Sequence, residues 1–192
     1  MRILDLFCGA GGWAEAFVPF GWEVVGVDSV DFSDIYPGRF VKGDALEWGG
    51  LDPWAFDFIV ASPPCEEFAR AWLPWKRGDK SPAPWAVGCL AWAVRESRRR
   101  KNMLVECSAF ASRHVNGGVR FGSWCLWGEL PVLVGEDVRR KGRVWGGRGG
   151  SAERAKIPPC LGSAVAWMIK QRAAGTPAAP AGRAGVPPLL VT

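Results

Sequence analysis

Short, unbroken apolar runs alternate with amphipathic stretches along this chain. Arg2–Leu6 (RILDL) reads as a buried strand that runs into Phe7-Cys8-Gly9-Ala10-Gly11-Gly12, and Trp13–Val18 then resumes with helix formers and an apolar face. Strand, glycine turn and helix is the opening of a nucleotide-binding βαβ unit. Further strands are expected at Glu23–Val27, closed by Asp28, and at Phe40–Gly43, ending at Asp44. Two more are expected at Asp57–Ala61, followed at once by Ser62-Pro63-Pro64-Cys65, and at Asn102–Val105, ending at Glu106. Trp85–Arg100 predicts a helix with one apolar face and a basic last turn that suits the helix macrodipole. Leu130–Val134 adds a further strand and Pro159–Lys170 a closing helix. Because the strand runs are continuous in hydrophobicity, the expected fold is α/β, a mostly parallel sheet with helices on both faces.

At 192 residues the length fits one domain, or one domain plus an appendage. The expected division is a single domain over residues 1–172 and a tail over 173–192. Thirteen of those last 20 residues are Ala, Gly or Pro, a composition of disorder. Nearly half of the whole chain is apolar, at 48%, which excludes disorder throughout. No run approaches the 18 apolar residues of a membrane helix, and the N-terminus carries no apolar leader. No membrane partner and a cytoplasmic location are therefore expected.

The six cysteines are spread without a CxxC pair, and His114 is the single histidine. Neither a disulfide framework nor a metal site is signalled, so covalent chemistry must lean on Cys, Asp, Glu or Lys. The twelve tryptophans are either packing residues or, in part, stacking surfaces for bases. Net charge is +5, but residues 95–101 (RESRRRK) carry +4 and residues 139–156 carry +6, leaving the remainder at −5. Such segregation suits a polyanionic partner.

The polar residues of interest all fall at the C-terminal ends of predicted strands: the glycine turn, Asp28, Asp44, Cys65 and Glu106. In an open α/β sheet that edge is where ligands bind. The glycine turn either admits a ligand to the backbone or is only a tight turn. Its spacing, Gly9-x-Gly11-Gly12, is not the GxGxxG of dinucleotide binding, which disfavours an NAD(P) oxidoreductase. Asp28 follows Gly9 by 19 residues, the separation at which a strand-end carboxylate meets ribose hydroxyls. Asp44 offers an acceptor to an adenine amino group, and either aspartate serves equally as a helix N-cap. Pro63 and Pro64 stiffen the exit from their strand and hold the Cys65 thiol at this edge, as a nucleophile or as a buried structural cysteine.

Asp5-Leu6-Phe7-Cys8-Gly9-Ala10-Gly11-Gly12 resembles the first motif of the cytosine-C5 DNA methyltransferases, and Ser62-Pro63-Pro64-Cys65 resembles their catalytic Pro-Cys motif. Val105-Glu106 falls where that family places Glu-Asn-Val, and the segments 121–128 and 152–158 are similar to small phage-type members. The resemblance implies a Rossmann-like fold that binds S-adenosyl-L-methionine, with Phe7, Gly9, Gly11 and Pro64 against the cofactor, Asp28 on its ribose and Asp44 on its adenine. It implies that Cys65 attacks C6 of a cytosine flipped out of duplex DNA, while Glu106 holds N3 and the amino group. Residues 66–84 would close over the base.

The sequence also departs from that pattern. Cys107-Ser108 replaces Asn-Val, Glu66-Glu67 replaces the usual Gln-Gly, and no Gln-x-Arg-x-Arg occurs, which leaves Arg120 or Arg113 as the arginine for the cytosine carbonyl. Gly162-Ser163-Ala164-Val165 is either a degenerate cofactor motif or a plain helix turn. A recognition region is reduced to about residues 130–151, too short for extensive base-edge readout. RNA as the substrate, or a catalytically silent nucleic-acid-binding relative, are the competing readings.

Overall fold

The apolar runs become the centre of one sheet. In the computed structural model, which describes residues 1–70, 81–128, 157 and 159–174, β1 (Arg2–Leu6) pairs in parallel with β2 (Glu23–Asp28) and β4 (Phe58–Ala61). The parallel array extends outward to β3 (Arg39–Lys42) on one side and β5 (Met103–Ser108) on the other. β7 (Trp124–Gly128) then joins β5 antiparallel, and β6 (Val119–Phe121) closes the edge, giving the order β3-β2-β1-β4-β5-β7-β6. The expected strand at 130–134, the segment 71–80, the basic run 139–156, the reduced recognition region and the tail beyond residue 174 lie outside the described residues.

Helices cover both faces, as the unbroken apolar strands require. On one face α3 (Pro84–Arg99) buries Ala86, Leu90, Ala93 and Val94 against Leu4, Ile59, Val105 and Trp127. On the other, α1 (Gly12–Phe17) and α4 (Pro159–Ala173) bury Trp13, Phe17, Leu161 and Val165 against Ile3, Val60 and Leu104. Gly162 lies inside α4 where that helix meets Ala16 of α1, with 2.5 Å between the Ala16 Cβ and the position a Cβ would take. A short α2 (Glu66–Arg70) follows Cys65 directly, so the stretch read as a loop begins with a helical turn. No helix among the described residues is long and apolar enough to cross a membrane.

The hairpin β6–β7 is a finding that the sequence reading did not anticipate. Its two-residue connection is Gly122-Ser123, with Phe121 paired to Trp124. Most of the tryptophans that the structure describes prove to be packing residues. Trp13 and Trp127 are buried, and Trp48 packs on Trp92 with ring centroids 5.0 Å apart. Arg100 lies over Trp48 at 4.8 Å and over Trp54 at 4.2 Å.

Gly26 marks the tightest point beneath the glycine turn. A Cβ there would stand 2.4 Å from Tyr36 Cζ and 2.7 Å from Cys8 Sγ. Gly26→Ala is expected to destabilise the fold by about 1–3 kcal/mol through overpacking, read as a lower urea midpoint with an unchanged m-value.

Candidate active site

The chain leaves β1 toward β2 and β3, then returns to β4 on the other side of β1. The connections after β1 and β4 therefore diverge, and a crevice opens between them at the carboxyl edge of the sheet. The glycine turn follows β1 and Ser62-Pro63-Pro64-Cys65 follows β4, so both motifs flank this switch point. A cleft forms there, lined by Phe7, Cys8, Gly9, Ala10, Gly12, Trp13, Glu15, Ser62, Pro63, Cys65, Glu106 and Ile157. Phe7 and Gly9 both take positive φ, 55° and 50°. At Gly9 nothing lies within 4 Å of where a side chain would stand. The turn is thus tight and also open to a ligand.

Two strands bring a thiol and a carboxyl to this cleft. Cys65 is half-buried, with its side chain partly packed on the core beside α3. Glu106, at the end of β5, is 7% exposed, and its Oε2 accepts a hydrogen bond from the Ser62 hydroxyl at 3.2 Å. Strand alternation turns the next side chain, Cys107, to the opposite face, where its Sγ lies 3.8 Å from the Pro63 carbonyl oxygen. Burial, then the neighbouring Cys65 and Glu106, push the Cys107 thiol well up, so it remains a neutral packing group under the Pro-Pro-Cys segment. Cys107 therefore packs beneath the loop that carries Cys65.

The remaining expected site residues are distributed around this cleft. Asp28 ends β2 and accepts from the backbone N–H of Gly9 and of Val30, each at 3.0 Å, which ties the glycine turn to its strand. Asp44 is exposed and caps the turn at Ala45–Gly50 through Leu46 N–H at 2.9 Å, the capping role that its residue type allowed. Pro64 lies between two residues that line the cleft, and Gly11 caps the start of α1. Arg120 is exposed on β6, in register with Cys125 and on the face away from Glu106, so it is not brought to the cleft. Arg113 is also exposed, at the end of the turn after β5.

The basic run at 95–101 is set apart from the cleft. It ends α3 and leads straight into the N-terminal end of β5, on the sheet edge opposite the cleft. Strand length separates it from Glu106 by about 15–20 Å. Glu96 partly neutralises it through Arg95, Arg99 and Arg100.

No protein-family model matches the sequence. The chain is 42% identical over 74 residues to a Frog virus 3 (isolate Goorha) protein named "Probable DNA (cytosine-5)-methyltransferase". It is similar to a viral cytosine-5 methyltransferase. That match covers 36% of this chain and 31% of the relative, so the chain spans about a third of that protein's length. Among solved structures, a prophage-encoded E. coli protein assigned as a DNA modification methyltransferase is 15% identical, with a TM-score of 0.41 over 66% of this chain and 45% of that one. A Spodoptera frugiperda DNMT2 variant is 22% identical, with a TM-score of 0.36 over 56% and 35%. A TehB-like SAM-dependent methyltransferase from Corynebacterium glutamicum is 17% identical, with a TM-score of 0.34 over 67% and 80%.

One buried group escaped the sequence reading. Asp5, the first residue of the glycine motif, is fully buried; its Oδ2 accepts from the Tyr36 hydroxyl at 3.0 Å, and its Oδ1 has no hydrogen-bond partner among the described residues. Burial pushes the Asp5 carboxyl up to about 8, against the Tyr36 hydrogen bond, and the Asp28 charge adds to the rise. The folded state therefore holds a proton that the unfolded chain releases near pH 4. Stability from this group is fully present below about pH 4 and is lost as pH rises toward 8. Asp5→Asn is expected to abolish this slope, so that its stability relative to wild type rises by a few kcal/mol between pH 4 and 8. Urea unfolding at several pH values measures it; parallel stability curves for the two proteins would refute it.

Proposed function

We propose that this chain is an S-adenosyl-L-methionine-dependent methyltransferase acting at C5 of cytosine in DNA. The observation that carries the reading is the convergence of Cys65, from the loop after β4, and Glu106, from the end of β5, in one cleft beside the glycine turn. The viral relative supports the same chemistry over the stretch it shares.

The residues at this edge fit such a donor. Gly9 leaves space against the backbone, and each Asp28 oxygen keeps acceptor capacity beyond its one backbone N–H, enough for ribose hydroxyls. Phe7, Gly9, Gly11 and Pro64 would hold the cofactor, with Asp28 on its ribose and Asp44 on its adenine. When bound, it supplies an electrophilic methyl group.

The chain's own residues do the rest. C5 of cytosine is a weak nucleophile until a group adds at C6, so the Cys65 thiolate adds there and makes the ring enamine-like. Glu106 holds N3 and the amino group and offsets the charge that develops on the ring. After methylation, loss of the C5 proton reforms the 5,6 double bond and expels Cys65. A base stacked in a duplex exposes neither face, so the target cytosine must be flipped into the cleft.

Transfer of radiolabelled methyl from S-adenosylmethionine to duplex DNA tests the reading. Label in DNA is expected. Label in RNA alone would move the substrate to RNA, and tight DNA binding without label would leave a silent binding protein.

A further inference from the structure

The carboxyl of Glu106 is held by a hydrogen-bond chain that starts on the helix after the glycine turn. Trp13, 2% exposed and the second residue of α1, donates its indole Nε1–H to Ser62 Oγ at 3.0 Å. Ser62 in turn donates to Glu106 Oε2 at 3.2 Å. All three residues line the cleft with Cys65. The Trp13 ring is itself fixed by stacking on Phe17, with centroids 5.6 Å apart and planes 15° apart.

The direction of this chain follows from the chemistry of its first member. An indole N–H can only donate, so it occupies a lone pair of the Ser62 oxygen. The one hydroxyl proton of Ser62 is then directed to Glu106. An oxygen that accepts this bond is disfavoured as a proton carrier, which biases a proton taken up by Glu106 toward Oε1. A hydrogen bond donated to a carboxylate also favours its ionised form.

We propose that Trp13 and Ser62 form a positioning relay that fixes the orientation of Glu106 and the oxygen on which it carries a proton. This inference rests on the reading of Glu106 as the group that holds the cytosine. Cys107, on the opposite face, takes no part. The relay instead ties the carboxylate to the first helix, directly after the donor-binding turn. Neither Trp13 nor Ser62 touches the reacting atoms in this account; both act through Glu106. Among the described residues, the titratable and charged groups around that carboxyl include Cys8, Cys65 and Glu15 lining the same cleft, Cys107 and Cys125 behind it, and Arg120 beyond Cys125.

The test has one arm that needs no turnover. In protein labelled with 15N at tryptophan, the Trp13 indole resonance is identified by its loss in Trp13→Phe and followed as a function of pH. The relay predicts a titration in wild type that disappears in Ser62→Ala and in Glu106→Gln. The second arm measures methyl transfer. Ser62→Ala is expected to lower kcat by about 10- to 100-fold, to leave KM for S-adenosylmethionine within about twofold, and to move the rate-controlling ionisation to higher pH. Ser62→Thr, which keeps the hydroxyl, restores both rate and pH profile. The double variant Trp13→Phe/Ser62→Ala is no slower than Ser62→Ala alone, because both changes break one chain. A Trp13 resonance indifferent to pH, or a Ser62→Ala profile that keeps its pH dependence, overturns the relay. A titrating indole in a wild-type protein that transfers no methyl upholds the relay and removes the methyltransferase reading.

Discussion

Cys65→Ala is expected to reduce methyl transfer to DNA by at least about 10⁴-fold, the largest effect of any single substitution in this chain. Without a nucleophile at C6, C5 of cytosine has no route to enamine character, and the bound donor has no competent partner. The loss should fall on kcat, since the residues proposed to hold the cofactor do not include Cys65. Folding should survive, because Cys65 is only half-buried and the change removes a single sulfur from the cleft wall. Unchanged near-UV circular dichroism with label abolished is the expected pair of results. Appreciable transfer by the alanine variant would show that the thiol is structural.

Glu106→Gln is expected to have the second-largest effect, a loss of about 10²- to 10³-fold in kcat. The substitution keeps shape and hydrogen-bonding volume while removing the charge and the exchangeable proton. Ser62 donates toward the position of Oε2, so it selects the amide oxygen there and turns the amide nitrogen to the place of Oε1. The amide nitrogen there can donate toward N3 but has no acidic proton to give up as charge develops on the ring. The variant should still bind duplex DNA with an affinity close to wild type, since duplex affinity comes mainly from phosphate contacts. Steady-state kinetics with labelled donor, beside a binding titration at fixed salt, separates the two effects. Equal losses in binding and turnover would assign Glu106 a role in folding the cleft.

The sequence made the parallel half of the sheet readable because its strands are buried on both faces. Arg2–Leu6, Glu23–Asp28 and Phe58–Ala61 stand within a residue of their expected bounds, and each leads to the ligand edge: the first into the glycine turn, the second to its last residue Asp28, the third into Ser62-Pro63-Pro64-Cys65. The two motifs meet across the switch point for a topological reason that pattern alone already implied. The antiparallel hairpin was missed although its signal was present. Gly122-Ser123 separates two short runs rich in β-formers by a two-residue hairpin loop.

What pattern could not show was the third dimension of the polar network. Asp5 looked like one polar residue inside an apolar strand, and its partner, the Tyr36 hydroxyl packed over Gly26, has no signal in the pattern. Ser62 and Trp13 carried no motif pointing to Glu106, since the three lie 49 and 44 residues apart along the chain. The basic run at 95–101 shows a different limit. Its charge was legible, but its place depended on the helix running antiparallel to the strands, which carries it to the far edge.

The most direct test of the account is to capture the adduct itself. Duplex DNA containing 5-fluorocytosine is incubated with the protein and S-adenosylmethionine, then resolved under denaturing conditions and mapped by mass spectrometry. Fluorine at C5 cannot leave as a proton does, so the account predicts a stable complex, dependent on the donor, with the nucleotide attached to the peptide bearing Cys65. Methylated DNA with no trapped complex, or a complex attached through a different residue, would contradict it.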